Sequence, residues 1–292
     1  MSSDNSVLVV GSLHYDIFLE ASRQPSKGET IIGKKWYPKF GGKGGNQAIA
    51  SSLFGCHTKI VSAVGNDSFG KYIIDRIKDS SVNSEYIEIL NNIKTGISVA
   101  VSDAEGEYTA VVISGANLHI KTEILNRAKL WENVKVLMLQ SEIKEEVNIV
   151  AAQQAKKNGA KVCLNPSPSK KLSKELLNNT DILITNLIEA ENISKERIND
   201  TDSAKKVASI LSNQFEFVII TIGENGVVGC QNNDEPIFIE AKKTKVISTH
   251  GAGDKFAGTF CASLAHDNNF IKCLEIANEK AAKHVSNNHK ND

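Results

Sequence analysis

The chain has 292 residues, with 34 lysines and arginines balanced by 34 aspartates and glutamates, 41% hydrophobic content and 6% aromatics, which is the composition of an ordinary folded protein rather than a disordered one. Zero formal charge removes the long-range field with which a nucleic-acid or acidic-membrane binder gathers its partner, so neither nucleic acid nor membrane is an expected partner and a small molecule is. Five cysteines, Cys56, Cys163, Cys230, Cys261 and Cys273, are odd in number and contain no CxxC pair, which argues against a disulfide framework or a cysteine zinc site and for buried thiols. The polar first residues lead straight into Val7-Leu8-Val9-Val10 without a signal-peptide pattern, and no apolar run reaches the length of a membrane span. A cytoplasmic location is expected.

Residues 7–10 read as the first buried strand. Two extended segments follow within residues 17–40, separated by Gln24-Pro25-Ser26-Lys27-Gly28. A strand over 59–64 and an amphipathic helix over 68–79 come next. Extended segments over 96–101 and 108–114 then flank the turn Asp103-Ala104-Glu105-Gly106. Strands over 134–139, 161–164, 182–185 and 217–222 alternate with helices over 144–157 and 203–211. Strand followed by helix, repeated, predicts parallel strands joined by crossover helices. The fold class is therefore α/β: a doubly wound, mostly parallel sheet flanked by helices, in one domain over 1–292. The segments within 12–40 and 95–115 lack crossover helices and predict a small β-sheet lid, with antiparallel edge strands of the main sheet as the alternative.

The strongest local signal is Gly41-Gly42-Lys43-Gly44-Gly45-Asn46-Gln47-Ala48, followed by the helical Ile49-Ala50-Ser51-Ser52-Leu53-Phe54. Glycines let backbone approach a ligand, and the N–H groups at a helix start are unpaired. The spacing is not that of a P-loop, because Lys43 sits mid-run with no following Ser or Thr. Lys43 and Asn46 offer donors for sugar hydroxyls; a purely structural turn is the alternative. The second signal is Ser248-Thr249-His250-Gly251-Ala252-Gly253-Asp254-Lys255, after the strand-like Lys245-Val246-Ile247 and before Phe256, Phe260 and Leu264 at helical spacing. The backbone of Gly251, Ala252 and Gly253 can form an anion hollow with Asp254 at its mouth, or Asp254 can be only an N-cap. A carboxylate beside an anion hollow suits phosphoryl transfer to a hydroxyl, with Asp254 as the base, kept ionised by the helix terminus.

These two motifs, some 200 residues apart, resemble the two signatures of the PfkB family of carbohydrate kinases. The likeness extends along nearly the whole chain: Gly11 to Asp16, Gly28-Glu29-Thr30, Val64-Gly65-Asn66-Asp67, Gly115-Ala116-Asn117, Gln140-Ser141-Glu142, Asn165-Pro166-Ser167-Pro168 and Thr221-Ile222-Gly223. The resemblance implies ATP- and Mg2+-dependent transfer of the γ-phosphoryl group to the primary hydroxyl of a pentose, ribose foremost. It implies sugar contacts from Asp16, Gly42, Lys43, Asn46 and Glu142, with His14 beside them, and a catalytic base at Asp254 with its anion hole at 251–253. It further implies a nucleotide side at Asn186, Thr221, Gly223, Gly226 and Asn278, and Mg2+ organised by Glu189 through water. The lid of such kinases can also join two copies into a homodimer.

This sequence departs from the family pattern at several points. His14 stands where an asparagine is usual, which keeps a nucleoside or another carbohydrate open as acceptor. Ser248 replaces an aspartate of the potassium site, and the chain as given ends at Asp292 without the expected Gly- and Pro-containing segment. Both argue against potassium activation and leave a non-catalytic sugar- or nucleotide-binding relative as a further alternative. Lys255 replaces a Thr or Ser and is expected to lower the pKa of Asp254 or touch a phosphate. No metal ligation or general-base role is expected of His14 or His250. His57, His119, His266, His284 and His289 read as surface residues, Trp131 as packing, and Trp36 as a lid residue able to cover substrate.

Overall fold

In the computed structural model, which describes residues 5–103 and 108–286, residues Ser6–Val10 form β1, buried along its whole length. Val7 and Val9 enter one core layer, Leu8 and Val10 another. A strand apolar on both faces must be covered on both, as in a sheet sandwiched between helices. The chain continues through β2 (His14–Glu20), β3 (Lys35–Gly41), α1 (Lys43–Leu53), β4 (His57–Gly65), α2 (Ser68–Asp79), β5 (Asn83–Leu90), β6 (Ile97–Ser102) and β7 (Tyr108–Ile113). It then runs α3 (Ala128–Trp131), β8 (Val134–Gln140), α4 (Glu145–Lys157), β9 (Lys161–Asn165), α5 (Lys174–Asn178), β10 (Ile182–Asn186), α6 (Leu187–Ser194) and α7 (Thr201–Leu211). The last elements are β11 (Phe217–Thr221), β12 (Gly226–Gln231), β13 (Ile237–Glu240), α8 (Ala252–Ala265) and α9 (Phe270–Val285).

The main sheet has nine strands in the order β13-β12-β11-β10-β9-β8-β1-β4-β5. All pairs from β5 to β11 are parallel, and β12 and β13 close one edge antiparallel. The chain winds outward from β1 in both directions, so the switch point lies between β1 and β8, where an open α/β sheet leaves a crevice at its strand ends. α1, α2, α8 and α9 supply one covering layer, around Ile73, Phe256, Phe260 and Leu274. α4 and α5 supply much of the other, with Val147, Ala151 and Leu176. Each fully buried Leu, Ile or Phe stabilises the fold by about 1.5–3 kcal/mol.

The second sheet, in the order β3-β2-β6-β7, is separate from the first and is not an edge of it. Each outer pair is antiparallel and the central β2–β6 pair is parallel. The first hairpin connection is longer than the five-residue turn predicted, spanning residues 21–34, and the turn predicted at 103–106 lies, beyond Asp103, outside the described residues. The buried Asn117 riveted to Leu13 fixes the lid's root: its Oδ1 accepts from Leu13 N at 2.8 Å and its Nδ2 donates to Leu13 O at 2.9 Å. Asp67 does the same at the second crossing, accepting from Thr95 N and Oγ1 while capping α2 through Gly70 N. Two of the family-like motifs, at 64–67 and 115–117, therefore anchor the root of the lid.

Residues 245–247 form no strand, contrary to expectation. The Ile247 and Ser248 amides donate to Val285 O of α9 instead of a strand, and Val246 and Ile247 are about half exposed. The helix after the first glycine motif begins earlier than its apolar residues suggest, at Lys43, so Gly44 and Gly45 lie inside α1. All five cysteines are free and buried.

Candidate active site

The carboxyl ends of β1, β8, β9, β10 and β11 deliver Ser12, Glu142, Asn165, Asn186 and Thr221 to one region, and the amino ends of α1 and α8 point into the same place. The inner face of the lid, with Asp16, Phe18, Ser98 and Val112, closes over it. The cleft between them measures about 380 Å³. Both glycine motifs line it: Gly42, Lys43 and Asn46 from one, Gly251, Gly253 and Asp254 from the other.

Asp254 lies in the first turn of α8 and is only 7% exposed. Gln47 Nε2 donates to its Oδ1 at 2.9 Å and Asn46 Nδ2 to its Oδ2 at 3.3 Å. Gln47 is itself held, since its Oε1 accepts from Gln140 Nε2 at 2.7 Å and its Nε2 also reaches Asn165 Oδ1 at 3.0 Å. The first motif thus orients the carboxylate of the second. Burial raises the pKa of Asp254, opposed chiefly by the Lys43 charge and the Gln47 hydrogen bond. Burial thus works against the ionised form that the helix terminus is expected to favour. The opposing cation is Lys43 and not Lys255, which lies outside the cavity lining and whose own pKa is lowered by burial and by Lys280.

The helix end beside Asp254 leaves backbone donors available. Ala252 N donates to Thr249 O at 3.2 Å, whereas the N–H groups of Gly251, Gly253 and Asp254 have no partner among the described residues. The anion hollow is therefore narrower than the expected trio, because the Ala252 amide is engaged in the turn. Unpaired amides at a helix start bind anionic oxygen.

Across the cavity, Asp16 is 4% exposed and accepts from Ser98 Oγ at 2.5 Å. Burial raises its pKa, with the Ser98 hydrogen bond and His14 pulling the other way. Glu142 accepts from Ser12 Oγ and, at 2.9 Å, from Lys43 N. His14 Nδ1 lies 3.9 Å from Glu142, and its buried Nε2 has no hydrogen-bond partner among the described residues. His250 reaches over from the second motif to within 3.9 Å of Asp16 Oδ2 and packs edge-on against Phe18. No group of three or more metal-type ligands occurs among the described residues.

Asn186, Glu189 and Thr221 line the far end. Asn186 and Glu189 form a capping box at the start of α6, each side chain accepting from the other's backbone N–H. Gly223, Gly226 and Asn278 lie outside the cavity lining. The two glycines shape the β11–β12 turn, and Asn278 Nδ2 donates to Glu240 O at 2.9 Å. Trp36 is 62% exposed and does not line the cavity; lid side chains alternate in facing, and Phe18 covers the cavity instead. Trp131 is packing, with Nε1 donating to Leu125 O. His57 and His119 are exposed, His266 and His284 half-buried, and His289 is outside the described residues. Sequence reasoning assigned no role to Gln47, Ser12, Ser98 or Asn165. Gln47 stood in a quoted motif, but its partners are 93 to 207 positions away.

A carboxylate at a helix start, beside free amides and across a lidded polar cleft from sugar-type donors and acceptors, belongs to a phosphotransferase that acts on an alcohol. The chain belongs to the pfkB family of carbohydrate kinases, which it matches over residues 4–290. It is 34% identical to the ribokinase of Mus musculus over 89% of this chain and 82% of that protein. It is 32% identical to the ribokinase of Staphylococcus aureus over 95% of this chain and 92% of that protein. Among solved structures it is similar to Arabidopsis thaliana ribokinase complexed with ribose and ATP, with a TM-score of 0.88 and 27% identity, covering 96% of this chain and 92% of that one.

Proposed function

We propose that the protein is an ATP-dependent ribose kinase that transfers the γ-phosphoryl group of ATP to the primary hydroxyl of D-ribose, giving ribose 5-phosphate. The observation that carries this reading is the meeting of both glycine motifs in one cavity, where Asn46 and Gln47 of the first hold Asp254 of the second. Asp16, Lys43, Asn46, Glu142 and the buried, unpartnered Nε2 of His14 line the side suited to sugar hydroxyls. Asp254 takes the proton of the attacking hydroxyl, and the amides of Gly251 and Gly253 meet the charge on the moving phosphoryl group. Thr221 and Asn186 line the nucleotide side. Mg2+ fits a site with one carboxylate, because it is commonly held through water and substrate phosphates, so Glu189 would hold it through water and it would neutralise phosphate charge.

Supplied with ribose, the enzyme is expected to release ADP far faster than with adenosine or inosine. ATP hydrolysis without acceptor is expected to be slow, because the lid excludes water when it covers a sugar. Rates should match in sodium and potassium buffers, since Ser248 supplies no carboxylate and the His250 carbonyl is already engaged by His284. A coupled ADP-release assay over this panel tests all three; a preference for nucleosides would favour the nucleoside-kinase alternative, and no ADP release at all the non-catalytic one.

A homodimer through the lid is supported by the lid's outer face, where Val111, Ile113 and Trp36 are 66%, 55% and 62% exposed. Sedimentation is expected to give twice the chain mass, and Val111→Asp to give the monomer; a wild-type monomer at micromolar concentration would contradict the dimer. Five free, buried thiols fit a cytoplasmic, reducing location.

A further inference from the structure

We propose that His284, in the last turn of α9, is a positioning residue for phosphoryl transfer: it aims the Gly251 amide into the anion hollow. The inference rests on the kinase reading above. Residues 241–250 form neither helix nor strand, and Val246 and Ile247 are half exposed, so packing alone does not set the path of this loop. Yet the loop delivers Gly251, with φ +74, to the N-cap of α8 without any side-chain cap, three residues before Asp254.

Ala241 N donates to Asn225 O at the start of the loop, and two adjacent residues of α9 anchor its second half. Ile247 N and Ser248 N donate to Val285 O at 2.7 and 3.2 Å, which also satisfies a carbonyl at the helix end. His284 Nε2 lies 2.9 Å from His250 O. A carbonyl can only accept, so Nε2 is the protonated nitrogen and donates.

The consequence follows from the rigidity of the peptide bond. The His250 carbonyl and the Gly251 N–H belong to one planar trans unit and point in opposite directions. Drawing the carbonyl toward α9 therefore turns the amide the other way, and Gly251 lines the cavity. The imidazole is also the nearest group to Gly251, 3.4 Å from where a side chain would begin. His284 thus fixes both the tilt of this peptide and the backing of the glycine, without touching the reacting atoms.

The test compares the full-length protein with His284→Phe, which keeps a ring and removes the donor, and with His284→Gln, which keeps a donor. Steady-state kinetics with ribose and ATP are expected to give a kcat lowered on the order of 10- to 100-fold in the Phe variant, the scale of a small misplacement at a reacting centre. KM for ribose should stay within about threefold, and the Gln variant should recover most of the rate. The affinity for ADP with aluminium fluoride and ribose, which mimics the transferring phosphoryl group, should fall in parallel with kcat while ADP affinity holds. Should the Phe variant not fold, His284→Ala takes its place. An unchanged kcat, an equal loss in the Phe and Gln variants, or a loss confined to ribose KM overturns the proposal while leaving the kinase reading intact. A parent enzyme without turnover overturns both.

Discussion

Asp254→Asn should lower ribose-dependent ADP release by about 100- to 10,000-fold, the contribution of a positioned general base, while ribose and ATP bind within a few-fold of the parent. The carboxylate is held from two sides, by Gln47 at 2.9 Å and Asn46 at 3.3 Å, so the amide replacement keeps its shape and loses its basicity. Burial raises the pKa of this group above the ordinary 3.8, so the acid limb of the kcat profile should lie above the usual carboxylate range and activity should rise with pH through it. Linkage gives the stability side of the same shift. A carboxyl with a raised folded-state pKa favours folding below its unfolded pKa, and that contribution is lost as pH rises through the folded value. Ionising the buried Asp254 therefore costs folding stability, and the Asn variant should melt no lower than the parent. Undiminished turnover in a folded Asn variant, measured beside its melting curve, would remove Asp254 from the chemistry.

Gly42→Ala is expected to cost about 3–5 kcal/mol and to lower Tm by roughly 10 °C. Gly42 has φ +89, a conformation that strains any residue with a Cβ. That Cβ would come within 2.7 Å of Leu13 Cα and Ser12 O and 2.8 Å of His14 N, all backbone atoms that no side-chain rotation can clear. The first glycine motif is thus wedged against the root of β2, and this wedge sets Lys43 N on Glu142 at 2.9 Å. Gly253→Ala is the stability control, because a Cβ there meets nothing within 4 Å. Calorimetry finding both variants within a degree or two of the parent would show that the wedge is not what holds the motif.

The central strands and both motifs were legible because their signals are local. Residues 7–10 are apolar at every position, and 41–48 and 251–254 are dense in small residues just before helices. β5, β12 and β13 were not legible: Asn83–Leu90, an edge strand, mixes Glu85 and Glu88 with Tyr86, and Gly226–Gln231, a buried inner strand, carries two glycines, which strand propensity disfavours. The lid was legible as four helix-less segments, but its central parallel β2–β6 pair was not, since register between segments some 80 residues apart leaves no local trace. The roles of Gln47 and Lys43 on Asp254 were hidden for the same reason. The pKa of a buried carboxylate depends on what the fold places around it, and here burial is the largest influence and raises it. Lys255, adjacent in the chain, lies outside the cavity lining, whereas Lys43, more than 200 residues distant, acts on the carboxylate.

The most direct measurement is phosphorus NMR of the full-length protein mixed with ATP, Mg2+ and ribose. A sugar whose O5 attacks the γ-phosphorus should give a phosphomonoester coupled to the two protons of C5, in step with ADP, and the Asp254→Asn protein should give none on the same timescale. If enzyme in excess over ribose yields no phosphomonoester, or attaches phosphate to a ring hydroxyl, the cavity is not a site for phosphorylating the primary hydroxyl of ribose.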